Sequence, residues 1–397
     1  MISEKVQEMA ASPIRKLVPY SEMAKKRGIH VYHLNIGQPD LPAPEEAFKV
    51  FQQKIANPIE YSHSAGYIGL RETWANYYQK LNIELQSNQM LICNGGSEAL
   101  IFAFLTCLNP GDELIVPAPY YANYNAFAQI AQVKIRPLLC YIEDNFKLPA
   151  VKEIEALITP KTKGILICNP NNPTGYLYTQ AELAELAELV KKHQLFLFAD
   201  EVYREFRYDN SAPDSLLKRQ DIDKNLVVID SVSKRYSLCG ARVGALISRN
   251  PQIIENALKL AQARLSPPSL GQWVAQAAFS ADQNYFTRTI GAYQARKNKL
   301  TQGLSQITGV KYSEPLGAFY SIAEFPIQDT DHFAQWLLED YAYEGKTVML
   351  APASGFYHKP EEGKKQVRIA YVLAEQDIEN SIKVLQHALP IYQAKYL

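Results

Sequence analysis

The 397-residue chain has no surplus of either charge: 41 lysines and arginines face 41 aspartates and glutamates. It has no lysine- or arginine-rich run, so nothing points to a nucleic acid, another polyanion or an anionic membrane as partner. Long apolar runs are missing too. The most apolar stretch, ALIFAFLTCL from Ala99 to Leu108, is too short to cross a bilayer and reads as a buried helix. The opening MISEKVQEMAAS lacks a signal-like apolar core, and a cytoplasmic protein is expected. Cysteines are few and odd in number (Cys93, Cys107, Cys140, Cys168, Cys239), and no CxxC occurs, so reduced, mostly buried thiols are expected rather than a disulfide framework. HExxH, GxGxxG and GxSxG are all absent, which removes the zinc-peptidase, dinucleotide and nucleophile-elbow readings; no metal is expected. Gly345-Lys346-Thr347 imitates the end of a phosphate-binding P-loop, but Asp340 stands where its first glycine belongs.

What the chain does have is a series of short apolar runs: MLIC (90–93), ELIV (113–116), VKIRPLL (133–139), GILIC (164–168), LFLFA (195–199), LVVID (226–230) and VGALIS (243–248). Helical patterns separate them. Seven buried strands alternating with helices predict an α/β domain with a mainly parallel sheet covered by helices. AELAELAEL (181–189) has amphipathic helical spacing, and Thr179 with Glu182 fits a capping box at its start. After about Ala281 a long helical stretch leads into strand-like pieces near 318–323 and 367–370, which reads as a smaller α+β domain. The expected division is 1–44 as a segment packing on the small domain or a partner subunit, 45–280 as the large domain and 281–397 as the small one.

Open α/β sheets bind ligands beyond the carboxyl ends of their strands. Four of the runs are followed there by NGGSEAL, NPNNPTG, DEVY and SVSK. Gly95 and Gly96 permit close backbone approach, and Ser97 opens a helix whose amides favour an anion; a tight turn with a serine cap is the alternative. Asp200, deep at a strand end, calls for a cationic partner, either a heterocycle nitrogen or a structural ion pair. Tyr203 points into the same cavity or packs in the core. Lys234 is either a Schiff-base lysine or a solvated loop residue, and Arg242 either grips a phosphate or makes a surface ion pair.

Taken together, NGGSEAL, NPNNPTG, ADEVY and SVSKRYSLCGARVG have the order and spacing of the fold-type I pyridoxal-phosphate enzymes. The chain resembles the class I/II aminotransferases of the aspartate aminotransferase superfamily, nearly end to end, including LNIGQPD, EYSHSAGYIGLRE and QVRIAY. The resemblance implies pyridoxal 5′-phosphate as cofactor and Lys234 as the residue of the internal aldimine and the proton shuttle. It implies Asp200 on the pyridine nitrogen, Asn172 and Tyr203 on the ring oxygen and Tyr121 stacked on the ring. Gly96, Ser97, Ser231, Ser233 and Arg242 would hold the phosphate, and Tyr61 would reach the phosphate of the other subunit in a homodimer with shared sites. Arg368, helped by Gly37 and Asn172, would bind the substrate α-carboxylate.

Amino-group transfer between an L-amino acid and a 2-oxo acid is the expected reaction. A carbon–sulfur lyase or an aminocyclopropane-carboxylate synthase would use the same lysine and ring clamp. A DNA-binding regulator with an aminotransferase-like sensor domain is a remote alternative, since the forty or so residues ahead of the core show no helix-turn-helix pattern or basic bias. Some aspartate aminotransferases carry a lysine where this chain has Ser97. Arg15 and Lys16 are therefore candidates for a distal substrate carboxylate, while the tyrosine-rich PYYANYNAF suits aromatic or neutral substrates.

Overall fold

The computed structural model describes residues 2–7, 9, 15–52 and 58–397. Its large sheet has seven strands at the positions of the seven apolar runs. Across the sheet they lie in the order Met90–Cys93, Gly244–Ile247, Leu226–Ser231, Phe196–Asp200, Thr162–Cys168, Glu113–Ala118 and Lys134–Leu139. Every pairing is parallel except the two made by Gly244–Ile247, which runs antiparallel to both neighbours. The strands Met90–Cys93, Leu226–Ser231 and Gly244–Ile247 are buried along their whole length, as strands covered on both faces must be. Lys134–Leu139 is only partly buried and holds Pro137, which an edge strand tolerates because it has no ladder to complete on its outer side.

The helix Gly95–Cys107 packs against Leu226–Ser231 and Gly244–Ile247. The helix Gln180–His193 starts at the capping box: Thr179 Oγ1 accepts from the Glu182 amide at 3.2 Å, and Glu182 Oε2 accepts from the Thr179 amide at 2.8 Å. A second region carries a four-stranded antiparallel sheet ordered Ala351–Pro352, Gln366–Ala370, Tyr320–Glu324 and Lys311–Tyr312, with the helices Gln283–Leu304 and Glu375–Tyr396 packed together. The N-terminal segment joins this region. Its strand His30–His33 pairs in parallel with Lys346–Met349, and its helix Val18–Lys26 packs on Thr330–Glu339. Among the described residues no helix is long and apolar enough to cross a membrane. All five cysteines are free, with Cys93, Cys140 and Cys168 buried and Cys107 and Cys239 half-buried.

Candidate active site

Sheet register brings the motif-bearing turns to one rim. Cys168 lies opposite Asp200, Asp200 opposite Ile229, and Gly244 opposite both Cys93 and Ser231. Because Gly244–Ile247 is antiparallel, its beginning lies where the other strands end, so Arg242 arrives at the rim that Ser231 and Asp200 leave. A cavity of about 890 Å³ opens there. Gly37, Gly96, Ser97, Tyr121, Asn172, Asp200, Tyr203, Ser231, Ser233, Lys234, Arg242 and Arg368 all border it. Tyr61 does not; it is 79% exposed on the outer surface. Arg15 reaches the cavity, but Lys16 is ion-paired with Asp331, which corrects the expectation that both basic residues serve the entrance.

One end of the cavity gathers groups suited to an anion. The helix Gly95–Cys107 begins there, with Gly96 and Ser97 on the cavity wall, and the first-turn amides of a helix lack intrahelical partners. Gly95 has φ +76°, and a Cβ on it would lie 2.3 Å from Arg242 Nη2. The Arg242 guanidinium is held in place by donating to the carbonyls of Cys239 (2.9 Å) and Asn94 (3.3 Å). The Ser231 and Ser233 hydroxyl oxygens lie 2.8 Å apart, and Ser231 Oγ accepts from the Ser233 amide at 3.1 Å.

Deeper in, Asp200 accepts from the Tyr124 hydroxyl at 2.7 Å and the Val202 amide at 3.3 Å. No salt bridge to it occurs among the described residues. Burial pushes its carboxyl up to about 6, against the pull of those hydrogen bonds. Lys234 Nζ donates to the Gly37 carbonyl at 2.8 Å and lies 3.8 Å from Cys239 Sγ. Burial draws its ammonium down; Arg368 and Arg242 push the same way, and the Cys239 thiol opposes them. The Tyr203 hydroxyl receives a hydrogen bond from Asn172 Nδ2 at 3.4 Å and lies 2.9 Å from the Tyr320 hydroxyl.

On another part of the wall, the buried Arg368 donates to Asn172 Oδ1 (3.2 Å) and the Asn35 carbonyl (2.6 Å). Its guanidinium stacks between the rings of Tyr320 (4.6 Å) and Phe356 (4.9 Å), which fix its plane. Its Nε is buried and has no hydrogen-bond partner among the described residues. Two residues that the sequence reading did not single out belong to this arrangement: Tyr124, which donates to Asp200 from behind the cavity, and Tyr320, which borders it. The first sits in the aromatic stretch PYYANYNAF and the second in GAFYS, where nothing local separates a site hydroxyl from core packing.

The family profile described as aminotransferase class I and II matches residues 29–385. The chain belongs to this family of pyridoxal-phosphate-dependent aminotransferases. It is 32% identical to an aspartate aminotransferase of Thermotoga maritima over 90% of this chain and 92% of the relative. It is 28% identical to one of Bacillus subtilis over 96% and 97%. Among solved structures, aspartate aminotransferase from Thermus thermophilus with maleate superposes with a TM-score of 0.88 at 25% identity, covering 98% of this chain and all of that one. The enzyme's cavity suits the family's cofactor chemically. Amides, hydroxyls and Arg242 at one end would suit a phosphate, the buried Asp200 carboxylate, with no ion-pair partner among the described residues, would suit a ring nitrogen, and the desolvated Lys234 amine would suit an aldehyde.

Proposed function

We propose that the enzyme moves an amino group between an acidic L-amino acid and a 2-oxo acid such as 2-oxoglutarate, with pyridoxal 5′-phosphate attached at Lys234. The observation that carries this reading is the convergence of Lys234, Asp200, Arg242 and Arg368 on one cavity. When bound, the cofactor supplies an electron sink for the pair left at the substrate Cα. Asp200 keeps the ring nitrogen protonated, and Asn172 and Tyr203 hold the ring oxygen. Tyr121 covers a ring face, and Gly96, Ser97, Ser231, Ser233 and Arg242 hold the phosphate. Lys234, released when the substrate's amino group takes its place on the cofactor, would accept the proton from the substrate Cα and deliver it to the cofactor carbon that bears the amino group; burial favours the neutral amine this requires. Arg368, with Gly37 and Asn172 beside it, binds the α-carboxylate through its guanidinium.

Three arginines border the cavity: Arg15, Arg242 and Arg368. With a phosphate on Arg242 and the α-carboxylate on Arg368, Arg15 remains for a side-chain carboxylate. That the relatives are named aspartate aminotransferases supports this assignment. We further read 45–280 as the cofactor-binding domain and 281–397 as the smaller domain, with 1–44 packed on it. The active unit is a homodimer in which Tyr61 reaches the phosphate in the partner's site.

The test is the visible spectrum of the cofactor-loaded protein, titrated with single amino acids. Aspartate or glutamate should bleach the band, and the matching 2-oxo acid should restore it. Arg15→Ala should slow both acidic substrates about 10- to 100-fold, the worth of one charge-assisted hydrogen bond, and leave alanine unchanged. Unaltered rates with aspartate and glutamate in Arg15→Ala would remove Arg15 as the partner of the side-chain carboxylate. A band that never converts while pyruvate accumulates would establish the lyase instead.

A further inference from the structure

The cavity wall has a second side that the chemistry above leaves unused. From the turn after Phe196–Asp200, Asp200 and Tyr203 border the cavity, whereas Glu201, Arg204 and Glu205 do not. From the turn after Leu226–Ser231, Ser231, Ser233 and Lys234 border it, whereas Asp230 and Arg235 do not. These five charged residues are all buried and meet one another behind the wall. Asp230 Oδ2 accepts from Arg204 Nη2 (3.0 Å) and Arg235 Nη2 (2.8 Å). Glu205 Oε1 lies 3.2 Å from Arg204 and 2.8 Å from Arg235 Nε. Arg204 Nη1 also reaches Glu201 Oε2 at 3.2 Å. The helix Ile68–Gln79 adds Trp74 Nε1 and the Tyr78 hydroxyl, both donating to Asp230 at 2.9 Å, and the Tyr77 hydroxyl, donating to Glu205 at 2.8 Å.

Two guanidiniums thus bridge two active-site turns from behind. Buried ion pairs are poor contributors to stability against apolar residues of equal volume, because desolvation offsets most of the attraction. Their directional geometry does fix the relative position of the elements they join. Asp230 Oδ1 extends the clamp into the backbone by accepting from the Ser231 amide at 2.7 Å, three residues before the lysine. We propose that Arg204 and Arg235, held by Asp230 and Glu205, are positioning residues that set Lys234 against Asp200. The proposal rests on the reading of those two as the reactive pair.

The experiment uses the cofactor-loaded enzyme with Arg235→Lys and Asp230→Asn. Arg235→Lys keeps the charge and loses the two-pronged geometry. Measured together are the pH midpoint of the visible band, the cofactor Kd by fluorescence, kcat and KM for one amino acid, and thermal unfolding. The expected result is a displaced pH midpoint and a kcat lowered on the order of 10²-fold, the cost of a misplaced reacting group, with KM nearly unchanged in protein that still unfolds cooperatively. Folded variants with the wild-type midpoint and kcat would overturn the proposal. If both variants fail to fold, hydrogen exchange on the wild-type holoenzyme decides: the amides of 201–205 and 231–235 should open as one unit, and independent opening overturns it. Lys234→Ala serves as control. A visible band surviving in that variant would refute the underlying site reading, whereas its loss beside unaffected Arg235→Lys would refute only the clamp.

Discussion

Asp200 ends an apolar strand and, among the described residues, accepts from one phenol hydroxyl and one backbone amide. In the cofactor-free protein, burial pushes its carboxyl up to about 6. In the unfolded chain the same group loses its proton near pH 4, at about the ordinary aspartate value. Between those two values the folded state holds a proton that the unfolded state has released. The group's contribution is therefore most favourable below about pH 4, declines as pH rises, and is fully lost above about 6. The difference is on the order of 3 kcal/mol. Asp200→Asn should remove this decline. Urea midpoints of the cofactor-free wild type and variant across pH 4 to 7 test it by subtraction. Other groups, including Glu201, which burial raises to about 7, titrate in both proteins and cancel. A wild-type-minus-variant difference flat with pH would sink the account.

At the scale of elements, the anion end depends on one backbone contact. Gly244 begins the antiparallel strand directly against the start of the helix Gly95–Cys107. A Cβ there would lie 2.5 Å from the Gly95 carbonyl carbon and 2.7 Å from the Gly96 nitrogen. Neither atom can swing aside as a side chain would. Gly244→Ala should therefore lower stability by about 1–3 kcal/mol and weaken cofactor binding by moving the helix start. Around Gly240, four residues earlier, a Cβ would meet nothing within 4 Å, and Gly240→Ala should change neither quantity. Equal behaviour of the two variants in thermal unfolding and cofactor titration would contradict this. The strands themselves are legible in the sequence because doubly covered strands must be apolar throughout. Their direction is not: VGALIS reads the same either way along the sheet, and only the register shows that Arg242 enters at the rim. Tyr124 and Tyr320 are illegible for a different reason. Their partners Asp200 and Tyr203 lie 76 and 117 residues away, and a hydroxyl's role depends on what the fold brings to it. The clamp behind the wall is hidden likewise, because its members alternate with site residues in DEVYRE and DSVSKR.

At the scale of the whole molecule, the single chain leaves Tyr61 79% exposed and away from its own cavity. Phe48, Phe51, Ile59, Ile68 and Leu270 are also exposed on the segments around it. These segments are neighbours: the helix Glu46–Lys49 packs on Ser269–Ala278, and Ser269 Oγ donates to the Glu60 carbonyl at 3.3 Å. Exposed apolar side chains gathered in this way suit a surface that another protein would cover. A second copy is the occupant that also gives Tyr61 a role, since a two-fold arrangement would carry each Tyr61 to the other chain. Sedimentation should therefore give twice the chain mass. Tyr61→Phe should keep the dimer and raise the cofactor Kd about tenfold or more, the loss of one hydrogen bond to a charged group. Leu270→Glu, outside the cavity, should split the dimer by placing a charge in the apolar contact, and should weaken cofactor binding only because the partner's Tyr61 departs. A Leu270→Glu monomer with wild-type affinity would show that each site is complete within one chain, and the exposed apolar surface would then need another explanation.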